Sequence, residues 1–173
     1  MRFEDTQLHG VRRIVPDIFT DHRGSYVEVF DDEKYRAACG GLRFVQDDVS
    51  ISHERVLRGL HGDWATTKLV SVFHGEGYAL LADNRPDSPT YRRWQAFTLD
   101  DVERVQLLIP PGVGNSVLCR RGPLVYWYKQ NTHFTPGRQF TIRWDDPEWG
   151  FQWPIDDPIL SARDRQGSYV TTS

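Results

Sequence analysis

Short apolar segments, each bounded by residues that turn the chain, recur along most of this sequence and constrain its fold more than any other feature. "SYVEVF" (25–30), "RFVQDDVSIS" (43–52), "KLVSVFHG" (68–75), "EGYALLADNR" (76–85), "RRWQAFTL" (92–99), "RVQLLIP" (104–110), "NSVLC" (115–119), "LVYWYKQ" (124–130) and "RQFTIRW" (138–144) read as strands. They are rich in Val, Ile, Thr and aromatics, which fit a pleated, half-buried surface. "DHRG" and "NRPDSP" gather the residues that favour tight turns. "IPPGVG" is excluded from any central strand, because each proline removes a ladder donor. "DDEKYRAACG" (31–40) is the one convincing helix, short, with Gly40 where a C-terminal cap belongs.

This spacing predicts an all-β chain with a few short helices: a double-sheet antiparallel β-barrel, the jelly roll of cupin type, in preference to an open sandwich. The length of 173 residues suits one domain spanning 1–173. The segment from about 145 to 173 has no sustained period and carries five acidic residues between Asp145 and Asp157. It is expected to wrap the barrel with short helical turns. A roll of this kind has a mouth, and ligands bind in mouths.

Composition narrows the function. A net charge of -3 and a pI near 6.0, with acids and bases interspersed, argue against a nucleic-acid binder. The longest apolar runs, "LVSVF" and "GYALLA", are far too short to span a bilayer. Cys39 and Cys119 form no CxxC and follow no signal-like apolar start, so free thiols in the cytoplasm are expected. Aromatics make up 13% of the chain, with six Trp; they serve either as strand residues or as the lining of a cleft.

The stretch "VLRGLHGDWATTKLV" (56–70) carries the chemistry. A metal site would need several ligands converging from adjacent strands. His61 has no histidine at 59 or 63, and the loop that could bring a later ligand offers Asn115, so no metal is expected. His53, His74 and His133 are not spaced as a cluster. A lone histidine is often a packing residue, but His61 keeps company with Arg58, Asp63 and Lys68. Strand alternation puts Arg58 and His61 on opposite faces, and the glycines at 59 and 62 permit the bend that would bring both to one pocket.

Read in order, "FTDHRGSYVEVF", "FVQDDVSIS", "VLRGLH", "KLV", "LLADNRPDSPTYRRW", "IPPGVGNS", "VYWYKQNTHFTP", "IRWDDPEWGFQWP" and "LSARD" resemble the dTDP-4-dehydrorhamnose 3,5-epimerase family, from about Phe19 to Asp164. The resemblance implies a homodimeric, metal-free jelly roll without a cofactor, whose substrate is a nucleotide-diphosphate 4-keto-6-deoxy sugar epimerised beside its ketone. It implies His61 as the base, Asp164 as its partner carboxylate, Tyr128 as the acid on the opposite face and Lys68 beside the carbonyl oxygen. Asp83 is expected near the sugar. Arg23 and Arg58 resemble the diphosphate ligands, Glu28 and Gln46 the base or sugar contacts, and Phe134 the aromatic that stacks on the nucleobase. A long N-terminal segment ahead of "FTDHRG" fits a strand exchanged between subunits.

Two departures bear on the substrate. The family commonly reads "RGLH.Q" and "P.G.AHGF", where this chain has "RGLHGD" and "PPGVGNS". Asp63 and Asn115 are therefore expected on the substrate-facing surface, and the pairing resembles a branch acting on other sugar nucleotides, including GDP-linked 4-keto heptoses. Inversion at C3, at C5 or at both is open at this point. Two further readings remain: a metal-free cupin that binds a sugar nucleotide without turning it over, and a cupin-type 3,4-ketoisomerase.

Overall fold

In the computed structural model, which describes residues 1–167, the chain is almost entirely β. The strands are β1 (Arg2–Asp5), β2 (Arg12–Val15), β3 (Ile18–Asp21), β4 (Gly24–Val27), β5 (Gln46–Ser52), β6 (Leu57–Gly62), β7 (Lys68–Asp83), β8 (Trp94–Asp100), β9 (Gln106–Ile109), β10 (Val113–Gln130) and β11 (Phe140–Thr141). The helices are α1 (Asp32–Ala38) and α2 (Ala162–Gln166). Asp31 caps α1 by accepting from the Glu33 and Lys34 amides, and Gly40 beyond its end takes a φ of 64°, a left-handed conformation that glycine adopts without a Cβ penalty. The short, charged β1, β2 and β3 escape sequence reading because four-residue strands give too little alternation to register.

The antiparallel jelly roll is built on β7 and β10. Sequence reading splits each of them in two; the structure keeps each continuous and bends it. The first half of β7 pairs with the second half of β10, from Lys68↔Gln130 to Val72↔Tyr126, and the other halves pair from Gly77↔Cys119 to Asp83↔Val113. These strands thus belong to two layers: β1-β2-β9-β7-β10-β5 and β8-β7-β10-β6-β11. At the corner, Gly75 has a φ of 89°, and a Cβ there would sit 2.5 Å from the Arg121 carbonyl oxygen. The split fails as a sequence reading because a bend of this kind carries the same glycine signal as a turn.

Side-chain parity inverts across that corner. Val70 and Val72 point between the layers, and so do Ala79 and Leu81, to meet Leu107, Ile109, Val113 and Val117 in the central core. Each fully buried aliphatic side chain contributes on the order of 1.5–3 kcal/mol relative to exposure. Leu69 and Trp127 face outwards, under α1 and Tyr35. Leu80 and Ala82 face out on the other layer, where Trp149, Phe151 and Trp153 cover them. That cover is pinned by Trp94 Nε1 donating to the Trp149 carbonyl (3.1 Å) and by Tyr78 Oη donating to that of Gln152 (2.8 Å). The part of the expected wrapping segment at 168–173 lies outside the described residues.

Candidate active site

The mouth of the roll holds a cavity of about 390 Å³, lined from β5, β6, β7, β10, the loop after β10 and α2. β5 contributes Gln46, Asp48 and Ser50, one face of an alternating strand. β10 contributes Asn115 and Val117 before its corner and Tyr126, Tyr128 and Gln130 after it.

β6 brings Arg58 and His61 to the same cavity. His61 lies opposite Asn115 and Arg58 opposite Val117, so two residues of β6 face one of β10 between them. This bulge restores to one face a pair that regular alternation would separate. Gly59 makes it possible: its φ is 117°, and a Cβ there would lie 2.5 Å from the Asn115 carbonyl oxygen.

The C-terminal segment supplies the partner of His61. Ile159 pairs in parallel with Val56 and donates to the Arg55 carbonyl (2.8 Å), which aligns α2 beside β6. Ser161 caps α2 by accepting from the Asp164 amide (3.1 Å), and the buried Asp164 carboxylate meets His61 with Oδ1 to Nε2 at 2.5 Å. Burial works to raise the Asp164 pKa, yet the hydrogen bond and charge of His61 and the Ser161 contact outweigh it, leaving it lowered. An ionised carboxylate accepts only, so Nε2 carries a proton, and in a neutral ring the lone pair is then on Nδ1.

Lys68, at the start of β7, is buried and donates to Asn115 Oδ1 at 3.3 Å. Burial pushes its pKa down to about 8; Asp63 opposes this and Arg163 adds to it. Tyr128 is raised above the ordinary phenol value, by burial first and then by Asp48, with Arg58 opposing. Arg58 is anchored to β5 through Ser52 Oγ (2.9 Å) and the Ile51 carbonyl (3.2 Å). Phe134, half exposed, borders the mouth, its amide donating to Gln46 Oε1 at 2.8 Å.

His61, Tyr128, Asp164, Lys68, Gln46, Arg58, Asn115 and Phe134 thus share one cavity. Four other expected site residues do not. Asp83 is a correction: it is fully buried and accepts from Arg85, Ser88 and Thr90, leaving nothing for a sugar. Burial would raise its pKa, but those partners hold it at about 2; Asp83 organises the turn after β7. Asp63 is a second correction. Its Oδ1 accepts from the Ala65 and Thr66 amides (2.9 and 2.6 Å), so it folds the β6–β7 turn and acts on the cavity through its charge on Lys68. Arg23 and Glu28 lie outside the cavity of a single chain, Arg23 held by Asp21 (2.6 Å) and Glu28 by Lys34 (2.5 Å).

Sequence reading missed Asp48, Ser50, Tyr126, Gln130 and Arg163 as cavity residues. The signal for most of them was strand period: once Gln46 and Tyr128 are assigned inwards, every second neighbour follows. Among the described residues no group of three or more His, Cys, Asp or Glu side chains could hold a metal ion. No helix among them is long and apolar enough to cross a membrane.

Residues 5–171 match the family model described as dTDP-4-dehydrorhamnose 3,5-epimerase. A relative so named from Methanothermobacter thermautotrophicus is 37% identical over 169 residues, 95% of this chain and 91% of the relative. The Legionella pneumophila dTDP-6-deoxy-D-glucose-3,5-epimerase, solved in complex with dTDP-4-keto-L-rhamnose, superposes with a TM-score of 0.89 at 33% identity, covering 94% of this chain and 89% of that one. A 3′-monoepimerase from Streptomyces bikiniensis in complex with dTDP-quinovose gives 0.90 at 29% identity, over 95% of this chain and 86% of that one.

Proposed function

Since the chain belongs to the dTDP-4-dehydrorhamnose 3,5-epimerase family, an isomerase family acting on nucleotide-diphosphate 4-keto sugars in deoxysugar biosynthesis, we propose how its cavity carries out the inversion. His61 Nδ1 takes the proton from a carbon beside the ketone, C3 or C5. The C–H electron pair moves into the ring and onto the carbonyl oxygen, giving an enolate that the Lys68 ammonium stabilises. Asp164 holds the imidazole by Nε2 and offsets the charge it gains. Tyr128 then gives its phenolic proton to the same carbon from the other face, and solvent resets both groups. Arg58 suits the diphosphate, since a guanidinium offers it a bidentate fork; Gln46 and Phe134 lie where the nucleoside would extend.

The observation that carries this reading is the His61–Asp164 pair opening onto the same cavity as a buried lysine and a phenol held protonated. Incubation with a dTDP-linked 4-keto-6-deoxy sugar in D2O tests it. Deuterium should enter beside the ketone while the ketone stays at C4. Saturable binding with no exchange, or migration of the carbonyl, would overturn it. For Tyr128→Phe the expected result is retained exchange with a changed product configuration; normal product at a normal rate would assign the acid elsewhere.

We also propose a homodimer in which the β3–β4 hairpin of one protomer reaches the other's cavity, bringing Arg23 and Glu28 to the substrate. Among the described residues the hairpin pairs with no other strand and exposes Phe19 and Tyr26, while β5 exposes Val49 and Ile51 beside an edge that none of those residues pairs with; such patches favour a self-complementary contact. Mixing Arg23→Ala with His61→Ala protein should then restore activity, because a hybrid dimer contains one site with both residues intact. Mixtures no more active than the separate variants would exclude the exchange. Cys39 and Cys119, both free, suit a cytoplasmic location.

A further inference from the structure

Three cavity residues fix one another's hydrogen-bonding roles. Lys68 Nζ lies 3.3 Å from Asn115 Oδ1, and Asn115 Nδ2 lies 3.4 Å from the Tyr126 hydroxyl. An ammonium has donors and no acceptor, so the amide oxygen of Asn115 must face it. The amide nitrogen, which can only donate, is thereby turned to Tyr126, and the Tyr126 oxygen has to accept. A phenol that accepts through its oxygen still has its own proton to give. Among the described residues no acceptor takes that proton, although the side chain is buried and borders the cavity. Buried donors in native proteins find partners, and here the space open to this one is the substrate's.

We propose that Tyr126 donates its hydroxyl proton to the substrate oxygen that Lys68 faces, so that a neutral donor and an ammonium together hold the enolate, with Asn115 as the residue that positions both. This rests on the epimerase reading above. Burial keeps the Tyr126 phenol protonated, with the Asn115 contact opposing it. The neighbouring Tyr128, two residues along the same face with ring centroids 6.2 Å apart, differs in a way that separates their jobs. It has no hydrogen bond among the described residues, which suits an acid that must part with its proton to carbon. The Tyr126 hydroxyl is oriented by Asn115, which suits a donor that keeps its proton. Preorganised donors of this kind strengthen as charge develops on the oxygen.

Deuterium exchange by wild-type, Tyr126→Phe and Asn115→Asp protein tests this. Tyr126→Phe should slow exchange about 100-fold at nearly unchanged KM. Its product should keep the wild-type configuration, unlike that of Tyr128→Phe. In Asn115→Asp the carboxylate can only accept, so it should take the Tyr126 proton for itself, and adding Tyr126→Phe to that background should cost little more. Exchange by Tyr126→Phe within about twofold of wild type, or a raised KM with kcat kept, would overturn the proposal. So would an equal loss from Tyr126→Phe in both backgrounds. Retained melting temperature and dTDP affinity separate these outcomes from misfolding. Absence of exchange by the wild-type protein would instead remove the epimerase reading, and this inference with it.

Discussion

Replacing His61 with alanine is expected to slow deuterium exchange beside the ketone by about 10⁴-fold, the upper range for a positioned general base, with the fold intact. The expectation follows from how the ring is held. Asp164 fixes Nε2 at 2.5 Å, so Nδ1 is the ring nitrogen left to take a proton. His61 is only partly buried at the cavity wall, so its loss opens no core void of the size that destabilises a barrel. His61→Asn should behave alike, since an amide can hydrogen-bond to Asp164 but cannot take a proton. Exchange by either variant near the wild-type rate would remove His61 from the mechanism.

Lys68→Met should cost about 100- to 1,000-fold in the same assay, roughly 3–4 kcal/mol in the barrel's transition-state stabilisation, as for loss of one oxyanion donor. A pH profile gives a second readout. On the proposed mechanism the ammonium is the working form, and burial, with Arg163 adding to it and Asp63 opposing, leaves its pKa at about 8. The wild-type rate should therefore fall as pH rises through about 8. Lys68→Arg, always charged, should lose that alkaline limb even where its rate is low. Stability moves the other way. Between about 8 and the ordinary lysine value of 10.5 the unfolded chain binds the proton that the folded chain has released, so wild-type stability rises with pH through this window. Lys68→Met should lose that rise. A wild-type rate unchanged up to pH 10 would argue that Lys68 does not act as a cation.

The architecture was legible in the sequence because strand chemistry and turn chemistry alternate from Gln46 to Gln130. What sequence reading misplaced was continuity: glycines at 75 and 122 look like turns, and in the fold they lie where β7 and β10 bend from one layer to the other. The same corners reverse side-chain parity, so no single alternation could have assigned both Asn115 and Tyr126 to the cavity. His61, Lys68, Tyr128 and Asp164 were reached through ordered motifs rather than through period. Asp83 and Asp63 show the limit of that route. Asp83 matches a motif residue and Asp63 departs from one, but local hydrogen bonds to Arg85, Ser88 and Thr90, or to the Ala65 and Thr66 amides, commit each carboxylate to turn formation.

The carboxylate paired with His61 comes from α2, downstream of every strand of the barrel, and the segment carrying it meets β6 at two places, at Ile159, which bridges Val56 and accepts from the Leu57 amide, and at the His61–Asp164 contact. Barrel closure and readiness for chemistry are therefore separable events. A nascent or locally opened chain in which this segment has lifted away would keep its two packed layers while its imidazole lost its partner, so on the proposed mechanism the fraction of working molecules depends on how firmly this stretch stays docked.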